Sequence, residues 1–182
     1  MIIIFIGPPF SGKDTQAKLL GRQLSLPVFS MGALIRGAYE RKDPGAIKGF
    51  EQYSMKGLHL PTTLKFGWLK EKLDVNKSGF ILDNFPANQE DLDVFLNYLR
   101  KNDLRIDHVF YLRISEEEMI KRLVQRGRED DKPDVVMKRR EIQDTDRESV
   151  INYFITQGLL REINAEGSVE QVQRQIMEYL NK

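Results

Sequence analysis

MIIIFIGPPFSGKDT, residues 1–15, is the stretch that decides the fold. The β-branched and aromatic run from Ile2 to Ile6 predicts a buried strand. Residues 7–13 then fit G-x-x-x-x-G-K, the pattern of a loop whose backbone N–H groups and lysine hold phosphate groups. The segment KDTQAKLLGRQL, residues 13–24, has a helical pattern, and the positive end of that helix would face the same phosphates. Strand, loop and helix in this order predict a nucleotide-binding loop.

Two residues of this loop depart from the usual pattern. Phe10 is bulky where such loops have a small residue, and Asp14 stands where Ser or Thr should follow the lysine, with Thr15 one position later. A carboxylate in the first turn of a helix is favoured by the helix dipole but repelled by a bound phosphate. We therefore expect a nucleotide to bind here only together with a cation.

Short apolar runs alternate with helical patterns along the rest of the chain. Further strands are predicted at 28–29, 80–82, 109–112 and 159–163. Two apolar stripes predict helices: Leu92, Phe95, Leu96 and Leu99 on one, and Met119, Ile120, Leu123 and Val124 on the other. The alternation predicts an α/β fold, a parallel five-stranded sheet with helices on both faces and ligands at the carboxyl ends of its strands.

The composition excludes several functional classes. With 28 basic and 27 acidic residues among 182, the net charge is +1, and no global field attracts nucleic acid or an anionic membrane. The absence of cysteine excludes disulfides and thiolate metal sites. The apolar N-terminal run is too short for a signal peptide or a membrane span. We expect a cytoplasmic, monomeric, single-domain protein whose partners are small molecules.

Six segments in a fixed order resemble the adenylate kinase and nucleoside monophosphate kinase family. They are GPPFSGKDTQAKLL, FSMGALIR, KGLHLP, GFILDNFP, RLVQRGREDD and NAEGSVEQV, and they span almost the entire chain. The resemblance implies a P-loop NTPase-type core and transfer of the terminal phosphoryl group of ATP, with Mg²⁺, to a nucleoside monophosphate, AMP first and CMP next. It also implies two mobile inserts on the single domain 1–182, an acceptor-binding insert at about 30–60 and a short lid at about 126–133 without Cys or His.

The resemblance also assigns the donor site. The catalytic residues that it implies are Lys13, Arg122, Arg126, Arg128 and Arg139. Arg122 would stack on the ATP base, Arg126 would contact the transferring phosphates, and Arg128 and Arg139 would lie across both nucleotides. ATP would contact the loop residues Gly7, Pro8, Pro9, Phe10, Ser11, Gly12, Lys13, Asp14 and Thr15, together with Arg122 and Arg126. Asp83 would orient the water shell of Mg²⁺, and we expect Asp14 to share that task through water.

Physical chemistry also favours arginines as catalytic residues, because phosphoryl transfer requires positive charge around the phosphoryl group while it is transferred. Arg122 and Arg126 are four residues apart on a predicted helix, and an anion between them would relieve their repulsion. A solvated face, with Glu118 pairing Arg122, stays an alternative. Arg139 lies within an apolar stripe and needs a partner or a cleft, whereas Arg140, nearer the edge of the stripe, is expected to be structural.

The acceptor side departs from the family pattern. Met31 and Ala33 replace Thr and Asp, and Ala87 replaces an arginine that helps to grip the monophosphate, so that only Arg36 remains of that pair. The acceptor-binding residues implied by the resemblance are Met31, Arg36, Leu58, Leu60, Asn84, Asp91, Arg128 and Arg139.

Asp91 stands where adenylate kinases have a glutamine that recognises adenine. A carboxylate only accepts hydrogen bonds, so Asp91 would suit cytosine, adenine or guanine, which carry exocyclic amino groups. An exposed aspartate in the first turn of a helix is the alternative. For His59 and His108, surface or packing roles are expected.

Three functions therefore stay open at this point. The first is an active nucleoside monophosphate kinase. The second is a kinase on the same scaffold with another small acceptor, because the donor side follows the family better than the acceptor side does. The third is a nucleotide-binding protein that no longer transfers phosphate.

Overall fold

A computed structural model of the protein describes residues 1–56, 58–126 and 133–180, without the side chains of residues 126, 133–135 and 139. The strands are β1 (Ile2–Ile6), β2 (Val28–Ser30), β3 (Phe80–Asp83), β4 (His108–Arg113) and β5 (Leu160–Asn164). The helices are α1 (Lys13–Leu24), α2 (Met31–Glu40), α3 (Pro44–Gln52), α4 (Thr62–Asp74), α5 (Gln89–Lys101), α6 (Glu116–Arg126), α7 (Pro133–Thr156) and α8 (Val169–Leu180), with a 3-10 turn at Ser54–Lys56. Within these ranges, no helix combines the length and apolar content needed to cross a membrane.

The five strands form one sheet in the order β2-β3-β1-β4-β5, and every neighbouring pair is parallel. The first strand therefore lies in the centre, where its apolar residues are covered on both faces. The predicted five-stranded parallel sheet is confirmed, and no strand begins or ends more than one residue from its predicted bound.

Alternate side chains of β1 enter two separate hydrophobic cores. Ile2 and Ile4 pack on one face with residues of α4, α5 and α7, among them Leu73, Phe95 and Phe154. Ile3 and Phe5 pack on the other face with α1, α6 and α8, among them Leu20, Met119 and Ile176. Helices on both faces, as predicted, follow from a central strand that is apolar on both sides.

The predicted apolar stripe of α5 is confirmed, but half of the stripe predicted for α6 is wrong. Met119 and Leu123 are buried, whereas Ile120 is 43% and Val124 77% exposed. Residues one position apart on a helix lie about 100° apart around its axis, so a helix that contacts the sheet along one line buries only one of the two rows. Ile120 and Val124 form the row that faces outward.

Helix α1 packs against the neighbouring strand through a glycine. A Cβ atom added to Gly21 would lie 2.4 Å from Cγ2 of Val28 and 2.9 Å from the carbonyl oxygen of Leu26. Both distances are shorter than van der Waals contact, so the helix that follows the phosphate-binding loop can lie at this depth only without a side chain here.

Gly21→Ala should therefore destabilise the protein. We expect a loss of about 1–3 kcal/mol in the free energy of unfolding, because overpacking outweighs the better helix propensity of alanine. Gly67→Ala is the matched control in α4, since an added Cβ would meet nothing within 4 Å there. It should stabilise the protein by about 0.5–1 kcal/mol. Urea denaturation of both variants measures the difference, and equal shifts would contradict the packing argument.

Candidate active site

A cleft of about 680 Å³ opens at the carboxyl edge of the sheet. Its walls combine the loop after β1, the start of α2, the segment before α4, the residues after β3, and the connection between β5 and α8. The predicted site residues that line it are Pro9, Phe10, Ser11, Gly12, Lys13, Asp14, Thr15, Met31, Arg36, Leu58, Leu60, Asp83, Asn84 and Arg122. Residues predicted on separate segments for donor, acceptor and metal thus share one cleft.

Gly7 begins the loop at a point where no other residue fits. Its φ is +151°, and a Cβ atom would lie 2.4 Å from the carbonyl oxygen of Leu112 on the neighbouring strand. Gly12 precedes α1 with a φ of +86°. Glycines at these two positions let the backbone turn back over the end of the sheet, with its N–H groups available to phosphate oxygens.

The bulky Phe10 is accommodated without filling the loop. Its backbone is left-handed, with a φ of +63°, and its ring packs against the hydrophobic core beneath α1 and α6. Its carbonyl oxygen accepts a hydrogen bond from Nη1 of Arg122 at 3.2 Å. The residue that departs from the usual loop pattern therefore fastens the loop to the helix that carries Arg122.

The Lys13 ammonium folds back over the loop. Nζ donates to the carbonyl oxygen of Pro8 at 2.7 Å and to the Ser11 hydroxyl at 3.3 Å. A lysine that spans the loop in this way holds positive charge where the loop N–H groups converge. The amine is thus placed to contact the outer phosphates of a nucleotide bound on the loop.

Asp83 ends β3 beside Lys13 and is 5% exposed. Burial raises the pKa of its carboxyl group, while the Lys13 ammonium and the Ser30 hydroxyl lower it. Oδ1 is buried and has no hydrogen-bond partner among the described residues. An acidic oxygen that is desolvated and unpaired at the phosphate end of a cleft suits a hydrated divalent cation.

Asp14 lies in the first turn of α1, where its carboxylate forms an ion pair with Lys18, with Oδ2 2.7 Å from Nζ. The two side chains are 46% and 58% exposed, so the pair is weak and leaves the carboxylate accessible from the cleft. Asp14 is close enough to Asp83 to raise the pKa of that group. The predicted contact of Asp14 with a metal through water stays a prediction.

Arg122 is held in the cleft wall by three acceptors. Nε donates to Glu118 at 2.7 Å, and Nη2 donates to the carbonyl oxygen of Ala165 at 2.6 Å, in addition to the contact with Phe10. The expected pair with Glu118 is present, but the guanidinium is not on a solvated face, since it joins the phosphate-binding loop to the connection after β5. Its stacking on a nucleotide base stays a prediction.

Three predicted arginines fall outside the described residues. Arg128 lies in the undescribed segment 127–132, which is most of the predicted lid, and the side chains of Arg126 and Arg139 are likewise not described. The roles predicted for these three residues therefore stay predictions.

The acceptor side of the cleft is mostly apolar. Met31 and Leu60 are buried there, and Leu58 is partly exposed. Arg36 supplies a cation on this side, its Nη1 lying 3.2 Å from where a Cβ of Gly32 would be. Ala87 also lines the cleft. An apolar wall with one arginine suits a nucleotide whose base packs on the wall and whose phosphate pairs with the cation.

Both interpretations of Asp91 are wrong. Its side chain is 0% exposed, so it is not a surface residue, and it does not line the cleft. Oδ1 accepts from the Thr62 hydroxyl at 2.6 Å, and Oδ2 accepts from Lys65 Nζ at 2.6 Å and from the Ala87 N–H at 3.1 Å. A carboxylate that is fully buried, does not line the cleft and already accepts three hydrogen bonds is not accessible to an amino group of a base.

Two cleft residues were missed or undervalued in the sequence. Lys65 lines the cleft although it is only 3% exposed. Thr62 and Lys65 are three positions apart on α4 and so share a face of the helix, and this spacing is the one feature of the sequence that could have indicated the pair. His59 also lines the cleft, with Nε2 3.4 Å from Asp146 Oδ2 but without hydrogen-bond geometry. Burial lowers the pKa of His59, and Lys65 acts in the same direction.

The parallel sheet and the glycine-bounded loop after its central strand define a nucleotide-binding protein of the P-loop class, and comparison with known proteins narrows the class. The adenylate kinase family profile matches residues 5–159. An adenylate kinase of Corynebacterium urealyticum is 32% identical over 184 residues, covering 100% of both chains. One of Mycolicibacterium vanbaalenii is 34% identical over 176 residues, covering 94% of each, and adenylate kinase 1 of Nostoc sp. is 33% identical over 176 residues, covering 96% of this chain and 95% of its own.

The chain therefore belongs to the adenylate kinase family, a family of nucleoside monophosphate kinases. The resemblance, fold class and enzyme class predicted from the sequence are confirmed.

Asp83→Asn should stabilise the protein without substrates while it impairs phosphoryl transfer. Because folding raises the pKa of Asp83, the ionised carboxylate destabilises the fold above that pKa, and acidification relieves the penalty. We expect the variant to be more stable than the wild type at neutral pH and to lose this part of the pH dependence. Thermal unfolding between pH 4 and 8 measures both quantities. A variant less stable than the wild type would contradict the account.

Proposed function

We propose that the protein transfers the terminal phosphoryl group of ATP to AMP and forms two molecules of ADP. The observation that carries the proposal is the common cleft, in which the phosphate-binding loop with Lys13 and the buried Asp83 meets an apolar acceptor wall with Arg36. Family membership supports the same reaction. In-line transfer requires two phosphates aligned next to each other, and a single cleft can bind both nucleotides.

The residues of the chain act by binding and orientation. The loop N–H groups and Lys13 hold the outer phosphates of ATP, and Arg122 defines the far wall of the donor side. Arg36 holds the phosphate of AMP against the group in transfer. Positive charge fixed in these positions stabilises the charge that develops on the transferring phosphoryl group, because it does not have to reorganise during the reaction.

The proposal includes Mg²⁺ as cofactor. The residues fit a hydrated ion held mainly through substrate phosphates. Asp83 lines the cleft with an Oδ1 that has no hydrogen-bond partner, and no cluster of three or more His, Asp or Glu among the described residues could hold a metal alone. When bound, Mg²⁺ neutralises charge on the phosphates. Asp14 is the second carboxylate within reach of the same water shell.

The proposal extends to the predicted lid and insert. The segment 126–133, with Arg126 and Arg128, would close over the nucleotides as a lid, and residues at about 30–60 would close over the acceptor. Arg139 would contact both nucleotides. Closure excludes water, which would otherwise compete with AMP for the phosphoryl group. We further propose a single-domain monomer that works in the cytoplasm.

Formation of ADP from ATP, Mg²⁺ and each common nucleoside monophosphate tests the reaction. We expect AMP to be the best acceptor, with little ATP hydrolysis in the blank without acceptor. Nucleotide binding without ADP formation from any monophosphate would contradict the proposal.

Lys13→Met should remove most of the activity because it deletes a charge that contacts the transferring phosphates. We expect kcat to fall at least a hundredfold, while the melting temperature changes little. Lys101→Met, which removes an exposed lysine at the end of α5, is the matched control and should keep wild-type turnover. Unchanged turnover in a folded Lys13→Met protein would refute the assignment.

Asp14→Asn tests the carboxylate in the loop without changing its size. Repulsion between unit charges at about 4 Å is near 1 kcal/mol in water, so the variant should bind metal-free ATP about fivefold more tightly. Its affinity for Mg·ATP should stay the same or fall, because a carboxylate near the metal shell is lost. Calorimetric titrations with and without Mg²⁺ decide the question, and equal shifts in both titrations would show that Asp14 does not interact with the metal.

A further inference from the structure

The cleft contains a second charged cluster, separate from the one around Lys13 and Asp83. It consists of Lys65 and His59, which line the cleft, and of Asp91, which contacts Lys65 but does not itself line the cleft. Lys13 contacts the phosphate-binding loop at Pro8 and Ser11, whereas Lys65 contacts Asp91 of α5. The cleft therefore has one lysine held by the phosphate-binding loop and another that α4 supplies.

Lys65 is the member of this cluster that can still bind a ligand. Its ammonium has three protons, and among the described residues it donates one hydrogen bond, to Asp91 Oδ2 at 2.6 Å. The Thr62 hydroxyl and the Ala87 N–H hold Asp91 in place. Donor positions thus remain on a lysine that is 97% buried but lines the cleft.

The surroundings of Lys65 suit a base rather than a phosphate. The acceptor phosphate must lie beside the transferring group, close to Lys13, so that the base extends toward the other end of the cleft. The wall there is formed by Met31, Leu58 and Leu60, which can cover the flat face of a base. A buried donor that lines the same cleft as this apolar wall can fix the edge of such a ligand, because an unpaired acceptor on the ligand would be costly.

We propose that Lys65 is a specificity-determining residue that donates a hydrogen bond to an acceptor atom on the edge of the acceptor nucleotide's base, and that Asp91 is the residue that positions it. The proposal rests on the proposed function and deepens it. In AMP the acceptor atom is a ring nitrogen, and the proposal assigns no essential contact to the exocyclic amino group. This is the reverse of recognition by a carboxylate, which would depend on that amino group.

The first experiment uses the wild-type protein and calorimetry without ATP. The ligands are AMP, purine riboside 5′-monophosphate, which lacks the amino group, and the 1-, 3- and 7-deaza analogues of AMP, each of which lacks one ring nitrogen. We expect purine riboside 5′-monophosphate to bind within about threefold of AMP and one deaza analogue to bind at least about tenfold more weakly. Equal affinities for AMP and all three deaza analogues, or a tenfold loss on removing the amino group, would overturn the proposal.

The second experiment removes the pair. Lys65→Met alone would leave a buried carboxylate without its cation, so the double variant Lys65→Met with Asp91→Asn is used, because the neutral amide can still pair with the Thr62 hydroxyl and the Ala87 N–H. We expect the Kd for AMP to rise at least about tenfold, the Kd for Mg·ATP to stay at the wild-type value, and the loss caused by the deaza substitution to disappear.

The matched control is Lys70→Met with Asp74→Asn, which removes an exposed Lys–Asp ion pair from the same helix, keeps an acceptor for the Tyr98 hydroxyl and should leave AMP binding unchanged. Wild-type AMP affinity in the folded Lys65 and Asp91 double variant would overturn the inference while leaving the proposed reaction intact. Tight AMP binding with the expected analogue pattern but no ADP formation would refute the proposed reaction and support the inference. A wild type that does not bind AMP would overturn the inference.

Discussion

The structure depends on one constraint, which is that all five strands run in the same direction and end at the same edge. β1 lies at the centre, and its chain turns at Gly7 only because the absence of a side chain lets the backbone pass the carbonyl oxygen of Leu112. The same edge receives Asp83 from β3 and Ala165 after β5. Residues more than 150 positions apart in the sequence therefore meet in one cleft without any long excursion of the backbone.

Two buried carboxylates at this edge show how ligand sites and scaffold differ. Asp91 has a donor for each oxygen, and its neighbours Thr62 and Lys65 fix it. Asp83 has an oxygen without a partner, and burial raises its pKa. A fully paired carboxylate stabilises the position of its neighbours, while an unpaired one retains an unmet requirement for a cation or a donor. An unpaired buried carboxylate is less favourable for folding, and a bound metal or substrate can relieve that cost.

Much of the fold was predictable because its strands are short apolar runs with strong β preference and its first loop has a pattern that follows from phosphate geometry. The α6 stripe was half wrong because periodicity shows which residues are apolar, not how wide the contact with the sheet is. Asp91 was misinterpreted because its partners Thr62 and Lys65 lie 29 and 26 positions earlier, on another helix. Such a pairing arises from tertiary packing, and no local sequence pattern predicts it.

The contacts of Arg122 were predictable only in part. Its pair with Glu118, four residues earlier on the same helix, follows from spacing alone. Its contacts with the carbonyl oxygens of Phe10 and Ala165 come from segments 112 and 43 positions away and could not be predicted from spacing. These two contacts make an ordinary helical ion pair part of the cleft wall, because Nη1 and Nη2 of the guanidinium donate to backbone carbonyl oxygens in and beside the nucleotide-binding loop.

Asp14 places a carboxylate in the phosphate-binding loop, and the protein compensates its negative charge only in part. The protein supplies a first cation, Lys18, one turn along α1, so the empty loop does not carry an isolated negative charge. Because the pair is half exposed, its attraction is weak and screened, and it cannot offset the several negative charges of a bound nucleotide. The remaining repulsion acts on a metal-free nucleotide more than on one that arrives with its metal. We therefore expect a loop that contains an acid to keep the capacity to bind a nucleotide, with an affinity that depends on the cation that accompanies it.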